Sequence, residues 1–562
     1  LKLRDQYRRL HLFIQSVEQQ PGLPALAEAL HCSERNMRLL LAKMQDQGWL
    51  TWQAGLGRGN LSQLQLHVTP ESLALDHLSG LLAKGDLEHA FASLDRKQRA
   101  QLATRLPDYL GVPDPTCRRF RMPTFRRIES LDPLKAIGRL EAHLVRQIFS
   151  RLTTFDPEQN KLLPAIAHHW ESNDDATIWH FWLRPGLSFH DGSELTTEDV
   201  RASFQRLRQQ SYNYRALYQH LNKIELGNNQ RISFHLSRPD YLWPHCLATA
   251  NSSIVPRQRP NNFEHMPIGS GAFRVTRHNN YQLTLSTFKD YYKERPLLDE
   301  IDLWVIDAPE HKLELDLQFG FDKKSGDDRK KWQIAESGCS FMICNPNKTR
   351  FKTCEQRQAF ADFLSPFQLL DPHDPARRPA SALLAQWSHR MPNKVVDCPI
   401  KSGTRLRMFS GQSPEILQLG ELVSQRLLSA GVKLEWQTLA FKELIARDWM
   451  PDADFVIGRE ILHDDIDFGC FEWFSADTIF RRWLPESKRK ELNEELQRIQ
   501  TIASSDTRMQ SYANIAHGLV QEAWILPLSH ENQQVNVATH VAGVRTTALG
   551  FVAFNELWLR GD

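Results

Sequence analysis

Residues 165–204, AIAHHWESNDDATIWHFWLRPGLSFHDGSELTTEDVRASF, leave few folds open. Trp179, Phe181 and Leu183 alternate, which puts three large apolar side chains on one face of a strand. Pro185-Gly186 and Asp191-Gly192 are turn formers. Thr196 or Thr197 then caps a helix, with Glu198 and Asp199 at its positive N-terminal end. A strand, two tight turns and a capped helix in so short a run predict an α/β unit. The chain has 562 residues, far more than one core accommodates, so several domain-sized units are expected. With 41% hydrophobic and 24% charged residues, globular structure rather than disorder is expected throughout.

The first seventy residues carry a different pattern. Leu3, Tyr7, Leu10, Ile14 and Val17 recur at helical spacing, and Pro21-Gly22 ends that helix. A short helix follows from Pro24. After a turn at His31-Cys32, Ser33 is an N-cap for a third helix. In that helix Met37, Leu40, Leu41 and Met44 form the buried stripe, which leaves Arg35, Asn36, Arg38 and Lys43 outward. Gly48 terminates it. Trp49–Trp52 and Leu64, Leu66 and Val68 read as two strands of a hairpin whose Gly-rich tip bears Arg58 and Asn60. Two short helices, a turn, a polar-faced helix and a hairpin predict a winged helix-turn-helix over residues 1–68. Such a helix fits the major groove of double-stranded DNA, where Arg and Asn pair with base edges, and the wing reaches phosphates. The candidate DNA-binding residues are Ser33, Arg35, Asn36, Arg38, Lys43, Arg58 and Asn60. Lys and Arg outnumber Asp and Glu across this segment, eight to five. The whole chain carries only +2, so any nucleic-acid surface must be local.

Residues 69–117 read as a helical connector, closing on the Gly/Pro-containing stretch LPDYLGVPDP. Arg118, Arg119, Arg121, Arg126 and Arg127 follow as a basic cluster with no acidic residue between them, read as a solvated strand and turn. Arg4, Asp5, Arg8, Arg9 and His11 interrupt every apolar run near the start, which argues against an export signal there. The eight cysteines include no CxxC pair and fit a reducing compartment. A cytoplasmic location is therefore expected.

The stretch 165–204 resembles the signature of the family 5 extracellular solute-binding proteins. Further landmarks occur in order: Ser130–Pro133, Gln147–Thr153, Pro267–Phe273, and Phe288 to Ile301. A strand at Leu406–Phe409, a helix over 415–429 and a strand at Val432–Trp436 resemble a β-α-β unit of that family's second lobe. The resemblance covers residues 118–558. It implies a two-lobed, periplasmic-binding-protein-like domain of type II, with lobe one at about 118–395 plus the C-terminal tail and lobe two at about 400–525. The fold class expected for the chain is thus mostly α/β behind an α+β winged helix. By resemblance to peptide-binding relatives, the stretch DADFVIGREILHDDIDFGCF supplies the candidate ligand residues Arg459, Glu460, Asp464, Asp465 and Asp467. The combination of both modules resembles the SgrR-like transcription regulators, which implies a small-molecule sensor (for a sugar phosphate, an oligopeptide or a related metabolite) that alters promoter binding through lobe closure.

His168-His169 and His190-Asp191 lie within the structural signature and have no ligand spacing around them. Gly269-Ser270-Gly271 lacks the lysine of a phosphate loop, and no GxSxG or HExxH occurs. No catalytic residue, metal or cofactor is expected. Two rival readings are a transport-associated binding protein and a sensor whose winged helix docks on a protein.

Overall fold

The computed structural model describes residues 2–17, 20–55, 62–70, 72–73, 117–124, 126–136, 138–209, 214–305, 316–319, 329–388, 396–548 and 550–560. The chain forms two compact units, one built on residues 1–114 and one on 115–306 and 315–562.

The first unit contains α1 (Lys2–Ser16), α2 (Leu23–Ala29), α3 (Glu34–Asp46), β1 (Leu50–Gln53) and β2 (Gln63–Leu66). The expected stripe Met37, Leu40, Leu41 and Met44 is buried, against Tyr7, Leu10, Leu26 and Trp49. Gly48 takes φ +71° and turns the chain from α3 into β1, a conformation that costs a residue with a Cβ. β1 and β2 pair antiparallel, Leu50 opposite Leu66. Three side chains fasten this hairpin to the helices. Tyr7 Oη donates to the Val68 carbonyl at 2.7 Å. Gln45 accepts from Trp52 N at 2.8 Å. Gln20 accepts from Leu64 N at 3.0 Å. The wing tip, with Arg58 and Asn60, and most of the connector lie outside the described residues.

The second unit begins with β3 (Arg119–Thr124) and α4 (Arg139–Ile148). β4 (Ala167–Ser172), β5 (Ile178–Leu183), α5 (Thr197–Gln209), β6 (Leu221–Leu226) and β7 (Arg231–Leu236) follow. The strands form an antiparallel sheet in the order β4-β5-β7-β6. As expected, Trp179, Phe181 and Leu183 turn one face of β5 into the core, and α5 starts at Thr197. Asp199, rather than either threonine, completes its N-terminus, accepting from Thr196 N at 3.0 Å and Thr196 Oγ1 at 2.8 Å. β8 (Phe273–His278), β9 (Gln282–Thr287) and β10 (Glu300–Val305) join β3 in a four-stranded sheet, β10 and β3 running parallel. Three of the five arginines of the basic cluster meet acids. Arg118 meets Asp299, Arg119 meets Glu300, and Arg126 meets Glu141 on α4.

Gly269-Ser270-Gly271 is a turn pressed against the end of α4. A Cβ at Gly269 or Gly271 would sit 2.0 Å from the Ile148 carbonyl oxygen or 2.3 Å from that of Gln147. His190 clamps the same turn. Its Nδ1 accepts from Gly269 N at 3.2 Å and its Nε2 lies 3.1 Å from the Gly271 carbonyl. Burial holds its pKa down at about 4, so the ring stays neutral while it bonds the backbone.

β11 (Arg329–Ala335) and β12 (Gly338–Cys344) are separated by two residues. β13 (Arg405–Ser410), α6 (Pro414–Ser429) and β14 (Lys433–Thr438) form the expected β-α-β unit, with Arg405 opposite Lys433 in parallel register. β15 (Phe455–Ile461), α7 (Ile466–Ser475), α8 (Glu486–Gln500), α9 (Ser505–Gln521) and β16 (Leu526–Ala538) complete this part. β12 pairs β15 along its whole length, and Met342, Phe351 and Phe360 pack with Leu406, Met408 and Leu419. The second lobe therefore begins at residue 338 rather than near 400, because strand pairing draws 338–344 into its sheet. Among the described residues its crossing points are two. β16 starts in the second lobe beside β12 and ends in the first, where Val535 and Val537 join the core of β3 and β8–β10. β11 and β12 make the same crossing through Glu336 and Ser337.

Candidate nucleic-acid face and inter-lobe cleft

On α3 the Ser33 hydroxyl accepts from Asn36 N at 3.3 Å, so Ser33 caps the helix and fixes where its first turn begins. Arg35, Asn36, Arg38 and Lys43 are all exposed. Arg38 lies 3.5 Å from Glu34, with both side chains more than half exposed. Such a pair is weak in water and exchanges readily for a phosphate. Leu39 is 56% exposed in the middle of this row. Sequence reasoning passed over it, although its place off the buried stripe is readable there. An apolar side chain flanked by Asn36 and Lys43 is suited to a thymine methyl.

The five acidic and basic candidates of the second lobe separate into different surroundings. Arg459, on β15, sits at the crossing. It bonds Glu336 and lies 3.0 Å from Glu415 at the start of α6. Arg139 on α4 approaches the other oxygen of Glu336 at 3.5 Å. Burial works against the Arg459 charge, and Glu336, Glu415 and Glu531 outweigh it, holding its pKa above the usual value. A line of alternating charge thus runs Arg139, Glu336, Arg459, Glu415 from the first lobe through the crossing to the second. Glu460 is the next residue along. Burial, with Glu472 nearby, pushes its pKa up to about 8. Glu472 is likewise raised, to about 7, by burial.

Asp464 and Asp465 line a small cavity of about 30 Å³. Facing them from the first lobe are Arg146, Arg151, Phe155 and His245. His245 Nδ1 meets Asp465 Oδ2 at 2.6 Å, and Arg146 lies 3.7 Å from Asp464. Burial opposes the Asp465 charge, yet the His245 bond keeps its pKa below the ordinary value. His463, also lining the cavity, is pushed down to about 4 by burial and by Arg146, and Arg151 falls to about 10 for the same two reasons. The cavity therefore has cationic and anionic side chains on facing walls, and at this lobe angle its space is that of one or two water molecules. Asp467 belongs elsewhere. On α7 it meets Arg508 at 2.5 Å and accepts from Ser505 Oγ at 2.7 Å, away from the cavity. Sequence reasoning missed Arg146, Arg151, His245 and His463. Arg146 adjoins the landmark Gln147–Thr153 and Arg151 lies within it, but nothing local ties them to residues more than three hundred positions later.

Among the described residues no helix is long and apolar enough to cross a membrane. Residues 161–362 match the family described as bacterial extracellular solute-binding proteins, family 5, middle part. Residues 2–114 match the family described as sugar transport-related sRNA regulator, N-terminal part. The chain is 29% identical over 574 residues to the HTH-type transcriptional regulator SgrR of Yersinia pseudotuberculosis, covering 99% of this chain and 98% of the relative. It is also 29% identical over 569 residues to SgrR of Salmonella typhi, with the same coverage. Among solved structures, a dipeptide binding protein from Pseudoalteromonas, in complex with Met-Leu, superposes with a TM-score of 0.69 at 16% identity, covering 79% of this chain and 100% of that one. The oligopeptide-binding protein AppA of Bacillus subtilis gives 0.67 at 16%, covering 79% and 99%. These likenesses place the second unit in the periplasmic-binding-protein fold. Both modules occur in this order, and the similarity to the SgrR HTH-type transcriptional regulators runs from end to end of the chain.

Proposed function

We propose that the chain binds double-stranded DNA through α3 and the wing, and that a small molecule held between the lobes of the second unit alters that binding. The observation that carries the reading is the outward row Arg35, Asn36, Arg38, Leu39 and Lys43 on a capped helix whose opposite face is fully buried. Arg35 and Asn36 lie near the helix start, where a recognition helix meets base edges. Arg58 and Asn60 would serve at the wing. The division into a reader head at 1–68, a connector at 69–117 and a sensor at 118–558 is part of the proposal, as is a cytoplasmic location, where promoter DNA is available. The relatives named above are regulators and binding proteins, and this chain is read as a non-enzymatic sensor like them.

In the second unit, Asp464 and Asp465 with Arg146, Arg151 and His245 are the side chains we assign to the ligand. Arg459 and Glu460 sit at the crossing, where they sense lobe angle, and Asp467 holds α7 in place. Both ends of the cavity belong to different lobes, so a ligand touching both favours the closed arrangement.

The test is fluorescence anisotropy of the full chain with DNA from upstream of its own coding sequence, at fixed salt. Arg35→Ala with Arg38→Ala is expected to cost at least about tenfold in affinity, since each good base contact contributes roughly 1–3 kcal/mol. Lys43→Ala is expected to reduce the salt slope by about one unit, as a phosphate contact would. Absence of binding to any upstream fragment at low salt would sink the proposal.

A further inference from the structure

A second groove, sharing no lining residue with the cavity above, also lies between the lobes. It is lined by Arg215 and Gln219 from the first lobe and by Ser475, Asp477, Arg481, Arg482 and Arg489 from the second. Its volume is about 340 Å³, and it opens widely to solvent. Four guanidinium groups face a single carboxylate, and that carboxylate is already shared. Asp477 takes Arg482 at 2.6 Å and also Arg447, from outside the lining, at 2.9 Å. Arg481 donates to Asn493 at 2.5 Å and to the Phe474 carbonyl, both uncharged. The side chains of Arg215 and Arg489 have no hydrogen bond or ion pair among the described residues. Burial, together with Arg489, lowers the pKa of Arg481 against the pull of Asp477.

Gathering like charges in a concavity is unfavourable unless something neutralises them. Concave walls concentrate the field, and the guanidinium fork matches phosphate and carboxylate oxygens. We infer that this groove is a binding site for a compact polyanion, an oligophosphate or a polycarboxylate, separate from the cavity lined by Asp464 and Asp465. The volume lies within the range of small-molecule sites. A concave pocket with its positive charge gathered at one point suits a compact ion better than a duplex, whose phosphates are spread along a convex surface. Because Arg215 and Arg489 come from different lobes, a bound polyanion favours the lobe angle at which both reach it. This gives the sensor a second input that shares no side chain with the cavity.

The test is calorimetric titration of inorganic tripolyphosphate into the full chain at low ionic strength. Arg215→Gln with Arg489→Gln strands no carboxylate, so the melting profile should be unchanged, and the dissociation constant should rise at least about tenfold, the loss of one or two charge-assisted bonds. Lys401→Gln with Lys433→Gln removes the same charge from exposed positions and should change it less than about twofold. Equal weakening in both variants would show general electrostatics and overturn the site, as would no saturable binding. Loss of binding in Arg146→Gln with full binding in the arginine pair would move the anion to the cavity and overturn it. Duplex DNA of unrelated sequence serves as competitor. If DNA displaces tripolyphosphate and itself binds more weakly to the arginine pair variant, the groove is a nucleic-acid surface and the compact-ligand proposal fails.

Discussion

Arg508 and Asp467 are both nearly inaccessible, and the guanidinium also donates to the Ile502 and Ala503 carbonyls at 2.7 and 2.9 Å. One side chain thus ties α7 to the loop between α8 and α9. Replacing Arg508 by Ala leaves a buried carboxylate without its cation and is expected to cost roughly 3–5 kcal/mol in denaturant unfolding. Glu460 and Glu472 contribute in a different way, through pH. A carboxyl whose folded pKa is raised keeps its proton where the unfolded chain has lost it. Its stabilisation is present at low pH and disappears as pH rises from the ordinary 4.5 to about 8 for Glu460 and about 7 for Glu472. His463, lowered from 6.5 to about 4, has the opposite slope, and that slope ends by pH 6.5. Between about pH 6.5 and 8 the carboxyls are left unopposed, so stability should fall with rising pH. Glu460→Gln should flatten that fall in urea titrations at pH 6.5, 7.25 and 8. An unchanged slope would mean that Glu460 is ionised throughout.

At the scale of the element, α3 is almost wholly legible from sequence. Its cap, buried stripe and terminating glycine are contacts within a few residues, where spacing and rotamer rules operate. β13–α6–β14 was readable for the same reason. The charge line through the crossing was not, because Arg459 and Glu336 are more than a hundred residues apart and only strand pairing brings them together. The same holds for Arg118 and Arg119, which looked unpaired until β3 aligned beside β10. The candidate ligand stretch was found as a stretch, but strand and helix geometry sent Arg459, Asp465 and Asp467 in three directions. Leu39 gives this scale its prediction. Leu39→Ala removes an exposed side chain, so the melting temperature should hardly move, while affinity for the upstream site should fall by about 1 kcal/mol if it meets a thymine methyl. Ser33→Ala should do the reverse, costing roughly 1 kcal/mol of stability through the lost cap. Equal behaviour of the two variants would show that α3 is merely a packed helix.

For the molecule as a whole, strands cross between the lobes at two places among the described residues, and side chains bridge them at several more. His245–Asp465 lies in the cavity, Arg139–Glu336–Arg459 at the crossing, and Asp240 with Gln500 beside an apolar core shared by Phe234, Trp243, Phe474 and Tyr512. Contacts that must break or re-form together favour a discrete setting of the lobe angle over a continuous range. A ligand can shift that setting only by its differential affinity, typically about 1–3 kcal/mol. Linkage then fixes a reciprocal quantity. A metabolite that changes promoter affinity by some factor must have its own affinity changed by the same factor when promoter DNA is bound. Titrating the metabolite by calorimetry with and without saturating DNA measures one side of the cycle, and anisotropy with and without the metabolite measures the other. His245→Ala with Asp465→Ala removes one bridge and so should reduce both factors together. If neither affinity responds to the other ligand, the two sites are uncoupled, and if both respond by a factor that His245→Ala with Asp465→Ala leaves unchanged, the coupling does not run through this bridge between the lobes.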